Sequence, residues 1–326
     1  MDILGIDIAK AKFDVHLCIA QQQRRASFPN TEAGFVQLKA WLDRHRPEQA
    51  APLHACMEAT GNWGLDLAAF LCGQKITVSI VNPRQIKAFG DSELARNKTD
   101  RLDAALIARF CRAHTPPPWT PPAPALRDLR EMVRRCEALK AARVQELNRR
   151  KSGFANAIVA ASIDHHIAYL DQQIQQITDA VRQLIASDPS QQAIRELLLS
   201  IIGVGEVTAS VIMAELPNLV EFTPKGLAAF AGLSPQERSS GSSAAASRSI
   251  SRIGSARLRS ALYLAALSAK RHNPRLADFI QRMREAGKPP KVILIAVARR
   301  LLVYAHAVLR SGKPFSITHQ AVDQSA

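Results

Sequence analysis

Six prolines fall within nine residues, Pro116-Pro117-Pro118-Trp119-Thr120-Pro121-Pro122-Ala123-Pro124. Proline has no amide hydrogen and a fixed φ, so no helix interior and no central strand runs through this stretch. It reads as an extended connector and a domain boundary. The 326 residues are therefore expected as an α/β domain over residues 1–124, long helices over 125–190 and a mostly helical domain over 191–326.

The first part alternates between two periods. Residues 2–8 and 13–20 read as strands, the second with Phe13, Val15, Leu17 and Ile19 on one face. A third short strand follows near Arg25 to Phe28, and Asn30-Thr31 then caps a helix with Phe35, Leu38, Trp41 and Leu42. Next come a strand ending at Glu58, a helix over Leu65 to Leu71 and a strand from Ile76 to Val81. Three early strands followed by alternating helix and strand predict a mixed sheet, in the order of an RNase H-like domain. That order sets Asp7, on the first strand, beside Glu58, on the fourth.

Two more acids stand in Arg96-Asn97-Lys98-Thr99-Asp100-Arg101-Leu102-Asp103-Ala104. Thr99 is a candidate N-cap for the apolar run Ala104 to Cys111, and Asp100 and Asp103 share one helical face. Carboxylates that close repel unless a cation or proton lies between them. Asp7, Glu58, Asp100 and Asp103 would together suit a hard, oxygen-ligated ion such as Mg²⁺. Solvated surface acids are the plain alternative.

The balance of 43 Lys+Arg against 28 Asp+Glu gives a net charge of +15, which calls for a polyanionic partner, nucleic acid first. No membrane span, aromatic amphipathic anchor or signal peptide is read in the chain, and a cytoplasmic protein is expected. Five scattered cysteines without a CxxC pair fit buried thiols in a reducing compartment.

Beyond the connector, Ile163, Ile167, Leu170, Ile174, Ile177, Val181 and Leu184 step 4-3-4-3-4-3, the seam of a coiled coil. The helix before it, about Leu126 to Arg150, is lined with cations, Arg134 and Arg135 among them, which suits a nucleic-acid backbone. Gly203-Val204-Gly205 between two apolar helices resembles a helix-hairpin-helix motif, whose exposed amides suit a phosphate; a plain helical hairpin packed through its glycines is the alternative. A serine-rich segment, Ser239-Ser240-Gly241-Ser242-Ser243 onward, is flanked by Arg238, Arg248 and Arg252. It reads either as a flexible linker or as a polar loop in which a serine attacks a phosphodiester while arginines stabilise the developing charge. The candidate nucleic-acid contacts are thus Lys98, Arg134, Arg135, Gly203, Gly205, Arg248 and Arg252.

Together these pieces resemble the DEDD transposases of insertion-sequence family 110. The resemblance covers nearly the whole chain. Gly5-Ile6-Asp7, Glu58-Ala59-Thr60-Gly61, Val81-Asn82-Pro83, Asn97-Lys98-Thr99-Asp100 with Asp103, and Gln145-Glu146-Leu147-Asn148-Arg149 carry it in the first half. Ile202-Gly203-Val204-Gly205, Phe230-Ala231-Gly232-Leu233-Ser234-Pro235 and Ser240-Gly241-Ser242-Ser243 carry it in the second. It implies a RuvC-like first domain whose Mg²⁺-binding quartet falls on Asp7, Glu58, Asp100 and Asp103. It also implies a nucleophilic serine, which falls on Ser240, and a covalent phosphoseryl intermediate. The partners it implies are donor and target DNA, a structured bridge RNA as guide, and further copies of the chain in a dimer or tetramer, associated with the nucleoid. One departure is Ala244-Ala245-Ala246, where a more polar or basic segment is expected.

Two other readings are compatible with the residues. A Holliday-junction resolvase would hydrolyse DNA with the same acids and need no serine. A non-catalytic nucleic-acid-binding protein would use the basic helices and glycine hairpin alone and be indifferent to Mg²⁺.

Overall fold

The computed structural model describes residues 1–20, 22–46, 51–59, 61, 63–93, 100–236, 249–251 and 253–317, with backbone alone at 100–102, 236 and 249. The chain divides into two compact units, Met1–Pro122 and Ala123–Ala326.

The first unit runs β1 (Asp2–Ile8), β2 (Lys12–Ile19), β3 (Gln22–Pro29), α1 (Glu32–His45), β4 (Leu53–Glu58), α2 (Leu65–Gly73), β5 (Thr77–Val81), α3 (Pro83–Ser92) and α4 (Asp100–His114). The sheet order is β3-β2-β1-β4-β5. The first three strands are antiparallel, and β1, β4 and β5 are parallel, so the sheet is mixed. Strict alternation gives it two buried faces. Leu4, Ile6, Phe13, Val15, Leu17, Ala55 and Met57 pack with Phe35, Leu38 and Leu42 of α1 and Leu67 and Leu71 of α2. On the other face Ile3, Cys18, Cys56 and Val81 meet Ile86 of α3 and Ile107, Ala108, Phe110 and Cys111 of α4.

Caps set where the helices begin. The Thr31 side chain accepts from Gly34 N at the start of α1, and Asn82 does the same for Arg84 N ahead of Pro83 in α3. The sequence reading passed over α3, although an Asn cap followed by Pro is a helix-start signal. After α4 the proline-rich chain returns along the edge strand: Trp119 N donates to Val78 O at 2.7 Å, and the Trp119 ring lies against the first core. The Ser79 hydroxyl lies 2.9 and 2.8 Å from the carbonyls of Pro116 and Pro117.

The second unit contains α5 (Pro124–Lys151), α6 (Ala157–Ala186), α7 (Pro189–Leu199), α8 (Glu206–Glu215), α9 (Pro224–Phe230), β6 (Pro235–Gln236), β7 (Ser249–Ile250), α10 (Ala256–His272), α11 (Ala277–Glu285) and α12 (Pro290–Ser311). Proline opens α5, α7, α9 and α12, where its missing amide costs nothing. The pairs Arg143–Asp171 and Arg150–Asp164 rise along α5 as they fall along α6, so the two helices lie antiparallel. Helices α8, α10 and α12 form the centre of the second core through Ala209, Ile212, Leu262, Ala266, Val297 and Leu301.

Helix α12, with a mean hydropathy of 1.9, is long and apolar enough to cross a membrane, the one such helix among the described residues. From the sequence a helix is expected over Val292 to Leu309, and no membrane span. Its apolar residues are accounted for by packing, since Ile293, Val297, Ala298, Leu301, Leu302 and Ala305 are buried in this core.

Candidate active site

Asp7 and Glu58 end the neighbouring parallel strands β1 and β4. The register pairs Ile6 with Met57, and the next step on each strand is the acid. From β1 the chain order proceeds outward in both directions, to β2 and β3 on one side and β4 and β5 on the other. The two acids therefore sit at the carboxyl ends of the strands flanking the switch point of the sheet, where α/β sheets open a crevice for ligands. Both are half-buried.

Helix α4 closes onto the same face. A Cβ on Gly5 would lie 2.1 Å from the carbonyl oxygen of Ala104 and 2.5 Å from the amide nitrogen of Ala108, so the helix backbone rests directly on β1. Asp7 shares the face of Gly5, two residues on. Asp103, immediately before Ala104, is half-buried, and Asp100 is the first residue of the helix. Among the side chains described, which exclude that of Asp100, no three of His, Cys, Asp or Glu stand close enough to hold a metal ion.

A fifth carboxylate belongs to this face. Asp14 on β2 pairs with Asp7 across the antiparallel ladder, and its half-buried side chain lies 3.0 Å from Lys12 Nζ. The sequence reading missed it. The signal was the short turn Ala9-Lys10-Ala11, which fixes the hairpin register as Ile8 opposite Phe13.

Under the acids the same face holds neutral groups. Burial pushes His16 and His54 below the ordinary histidine value, and Arg25 adds to the effect on His16. Cys56 and Cys111 are hydrogen-bonded thiols, and that bond with burial pushes the Cys56 thiol up.

In the second unit the expected site residues Ser240, Arg248 and Arg252 lie outside the described residues, as does Lys98 in the first. The frame around Ser240's segment is described. Pro235 pairs with Ile250 and Gln236 with Ser249, and Ser251 N donates to Ser234 O at 2.9 Å. Gly254, at φ +129°, passes under Phe230, whose carbonyl oxygen a Cβ would approach to 1.9 Å. Ser255 then caps α10 through Leu258 N and donates its hydroxyl to Glu215 Oε2 at 2.9 Å.

Residues 4–155 match a DEDD transposase model of IS110 elements, described as Transposase. Residues 195–281 match the model described as Transposase IS116/IS110/IS902 family. Pilin gene-inverting proteins of Moraxella bovis and Moraxella lacunata are each 33% identical over 315 residues, 96% of this chain and 97% of theirs. The chain belongs to the IS110 family of transposases. An IS110 insertion-element protein of Streptomyces coelicolor is 28% identical over 156 residues, 48% of this chain and 37% of that protein.

The transposase's charge is uneven. Residues 123–326 hold 28 Lys+Arg against 16 Asp+Glu, whereas residues 1–122 hold 15 against 12. Part of the basic run on α5 is engaged within the second unit. Arg134 is half-buried with Nε 3.8 Å from Glu215 Oε1, Arg130 donates to Ala214 O at 2.7 Å, and Arg257 pairs with Glu137 at 3.0 Å. Burial pushes the Glu137 carboxyl up, with Arg257 opposing. Arg135 is exposed.

The two hairpin glycines of this transposase differ in kind. Gly203, at φ +103°, is pressed on α10, where its Cβ would lie 2.4 Å from Ala269 Cβ. Gly205 is the N-cap of α8, and a Cβ there would meet nothing within 4 Å. Glu206, next in line, is held by Arg195 Nε at 2.9 Å.

Proposed function

We propose that this transposase cuts and rejoins donor and target DNA with Asp7, Glu58, Asp100 and Asp103 as metal-binding acids and Ser240 as nucleophile, directed by a structured guide RNA. The observation that supports this most is the adjacency of Asp7 and Glu58 at the switch point, with the backbone of α4 against Gly5. An RNase H-like first unit and an antiparallel coiled coil from α5 and α6 complete the reading, in a homo-oligomer that works on DNA in the cytoplasm.

The donor set is made of carboxylate oxygens, which fits Mg²⁺ by type. Bound there, Mg²⁺ supplies Lewis-acid polarisation of a phosphate oxygen. In the chemical step Ser240 Oγ loses its proton and forms a bond to phosphorus, and a DNA oxygen leaves as a hydroxyl. The phosphoseryl ester keeps one ester bond for another, so rejoining by a DNA hydroxyl needs no external energy source. Exchange between opposed sites on one molecule yields inversion, which agrees with the relatives named as pilin gene-inverting proteins.

The test is a recombination assay on the protein with its co-purified RNA. Ser240→Ala is expected to lose covalent protein–DNA adducts while DNA binding persists, and Asp7→Ala to lose cleavage. Adducts surviving in Ser240→Ala would overturn the nucleophile. Recombination that is indifferent to removal of the RNA would overturn the guide.

A further inference from the structure

Two loops leave the carboxyl ends of β1 and β4, the strands that carry Asp7 and Glu58, and one side chain joins them. Asn30, just after β3, donates its amide to the carbonyl of Ala9 in the first loop at 3.1 Å and to that of Trp63 in the second at 3.0 Å. Lys10 Nζ stands over the Trp63 ring, 5.6 Å from its centroid. Gly64 presses the second loop onto the sheet, since a Cβ there would come within 2.9 Å of Ile8 Cδ1.

Trp63 is unlike the other tryptophans. Trp41 and Trp119 pack against the first core, whereas Trp63 is 49% exposed. An exposed cation–π contact is weak. The Lys10 contact is therefore readily exchanged for a ligand that stacks on the ring. Lys10 lies three residues past Asp7, so at most about 11 Å of chain separates their Cα atoms.

We infer that Trp63 is a stacking platform for an unpaired nucleobase of the DNA strand held at the carboxylates, the base taking the place of the Lys10 ammonium over the indole. This rests on the proposed reading of Asp7 and Glu58 as the DNA-processing site. A nucleobase meets an indole face only when it is out of its duplex stack, so the platform selects a strand that is locally single-stranded. The Lys10 ammonium is placed for the phosphate of that nucleotide.

The test uses the full-length protein and three probes: single-stranded oligothymidylate, an abasic oligomer of the same length, and a duplex. Affinity is read by anisotropy, and stacking by quenching of intrinsic tryptophan fluorescence. Trp63→Ala is expected to bind oligothymidylate about 5- to 100-fold more weakly and the abasic strand as wild type does. Trp63→Phe keeps a ring to stack on, so it is expected to restore most of the affinity while the quenching disappears. Duplex is expected to quench less than oligothymidylate in the wild type. Wild-type affinity in Trp63→Ala, an equal loss for the abasic strand, or quenching that persists in Trp63→Phe would overturn the platform. Asp7→Asn separates this from the reading beneath it. Active Asp7→Asn removes the carboxylate reading, whereas inactive Asp7→Asn with an unaltered Trp63→Ala removes the platform alone.

Discussion

Asp7 and Asp14 stand directly opposite each other across the β1–β2 ladder, two carboxylates on the sheet face that α4 covers. Like charges opposed in an antiparallel pair destabilise it by up to about 1 kcal/mol, and Lys12, 3.0 Å from Asp14, offsets part of that. Asp14→Asn is accordingly expected to raise the urea midpoint of the first unit in divalent-free buffer, by at most about 1 kcal/mol in stability. It should also shrink the stabilisation gained on adding Mg²⁺. Trp41, Trp63 and Trp119 all lie in residues 1–122, so tryptophan fluorescence reports on that unit alone. A lower midpoint without divalent ions would show that the opposed charges are not in conflict.

Gly5→Ala places a methyl group 2.1 Å from a backbone oxygen, which no rotamer change relieves. Overpacking of this kind costs about 1–3 kcal/mol, and more where backbone must move. The same midpoint is expected to fall by that amount, and cleavage to fall further than stability does, because α4 carries Asp100 and Asp103. Wild-type stability and cleavage in Gly5→Ala would refute the close contact.

Acid is expected to loosen the first unit through its buried histidines. The Ser79 hydroxyl has one hydrogen, directed at the Pro116 and Pro117 carbonyls, so His54 Nε2 is the donor in its 2.8 Å contact with Ser79. Burial holds His54 below its ordinary value of 6.5, and His16 likewise. The unfolded chain therefore takes up protons first as pH falls. Stability contributed above pH 6.5 is lost as pH drops below it towards the depressed folded values. In urea titrations at stepped pH, His54→Gln, which keeps a donor without titrating, should show a shallower decline. An identical slope would mean that His54 does not contribute.

The glycine hairpin separates into a packing residue and an open one. Gly203→Ala combines a strained φ with a clash against Ala269 and is expected to lower the second unit's melting temperature by several degrees. Gly205→Ala meets no neighbour and is expected to melt as wild type, so any fall in its DNA affinity reports the α8 N-terminus itself. Circular dichroism and a binding titration on the two variants decide the matter. If Gly205→Ala binds DNA like wild type, the hairpin serves packing alone.

What was legible in the sequence is what repeats locally. The alternation of Phe13, Val15 and Leu17 shows β2, and the order of strands and helices shows the mixed sheet and the neighbouring positions of Asp7 and Glu58. Register is less visible, which is why Asp14 escaped notice until its partner across the ladder was known. Charges on a helix are legible only as a count. The run on α5 looked free because its counter-ions, Asp164 and Asp171, come from α6 and Glu215 from the end of α8. Composition also gives the same reading for a buried helix and a membrane span, as α12 shows.

The two-residue ladder of β6 and β7 brings the chain back to where it left. Whatever lies between Gln236 and Ser249 enters and leaves through one fixed gate, held by Ser234, Gly254 and Ser255. The return of the chain to its point of departure is thus fixed by backbone pairing at Pro235 and Ile250 and at Gln236 and Ser249, so the two flanking parts of the second unit keep their spacing by main-chain bonds.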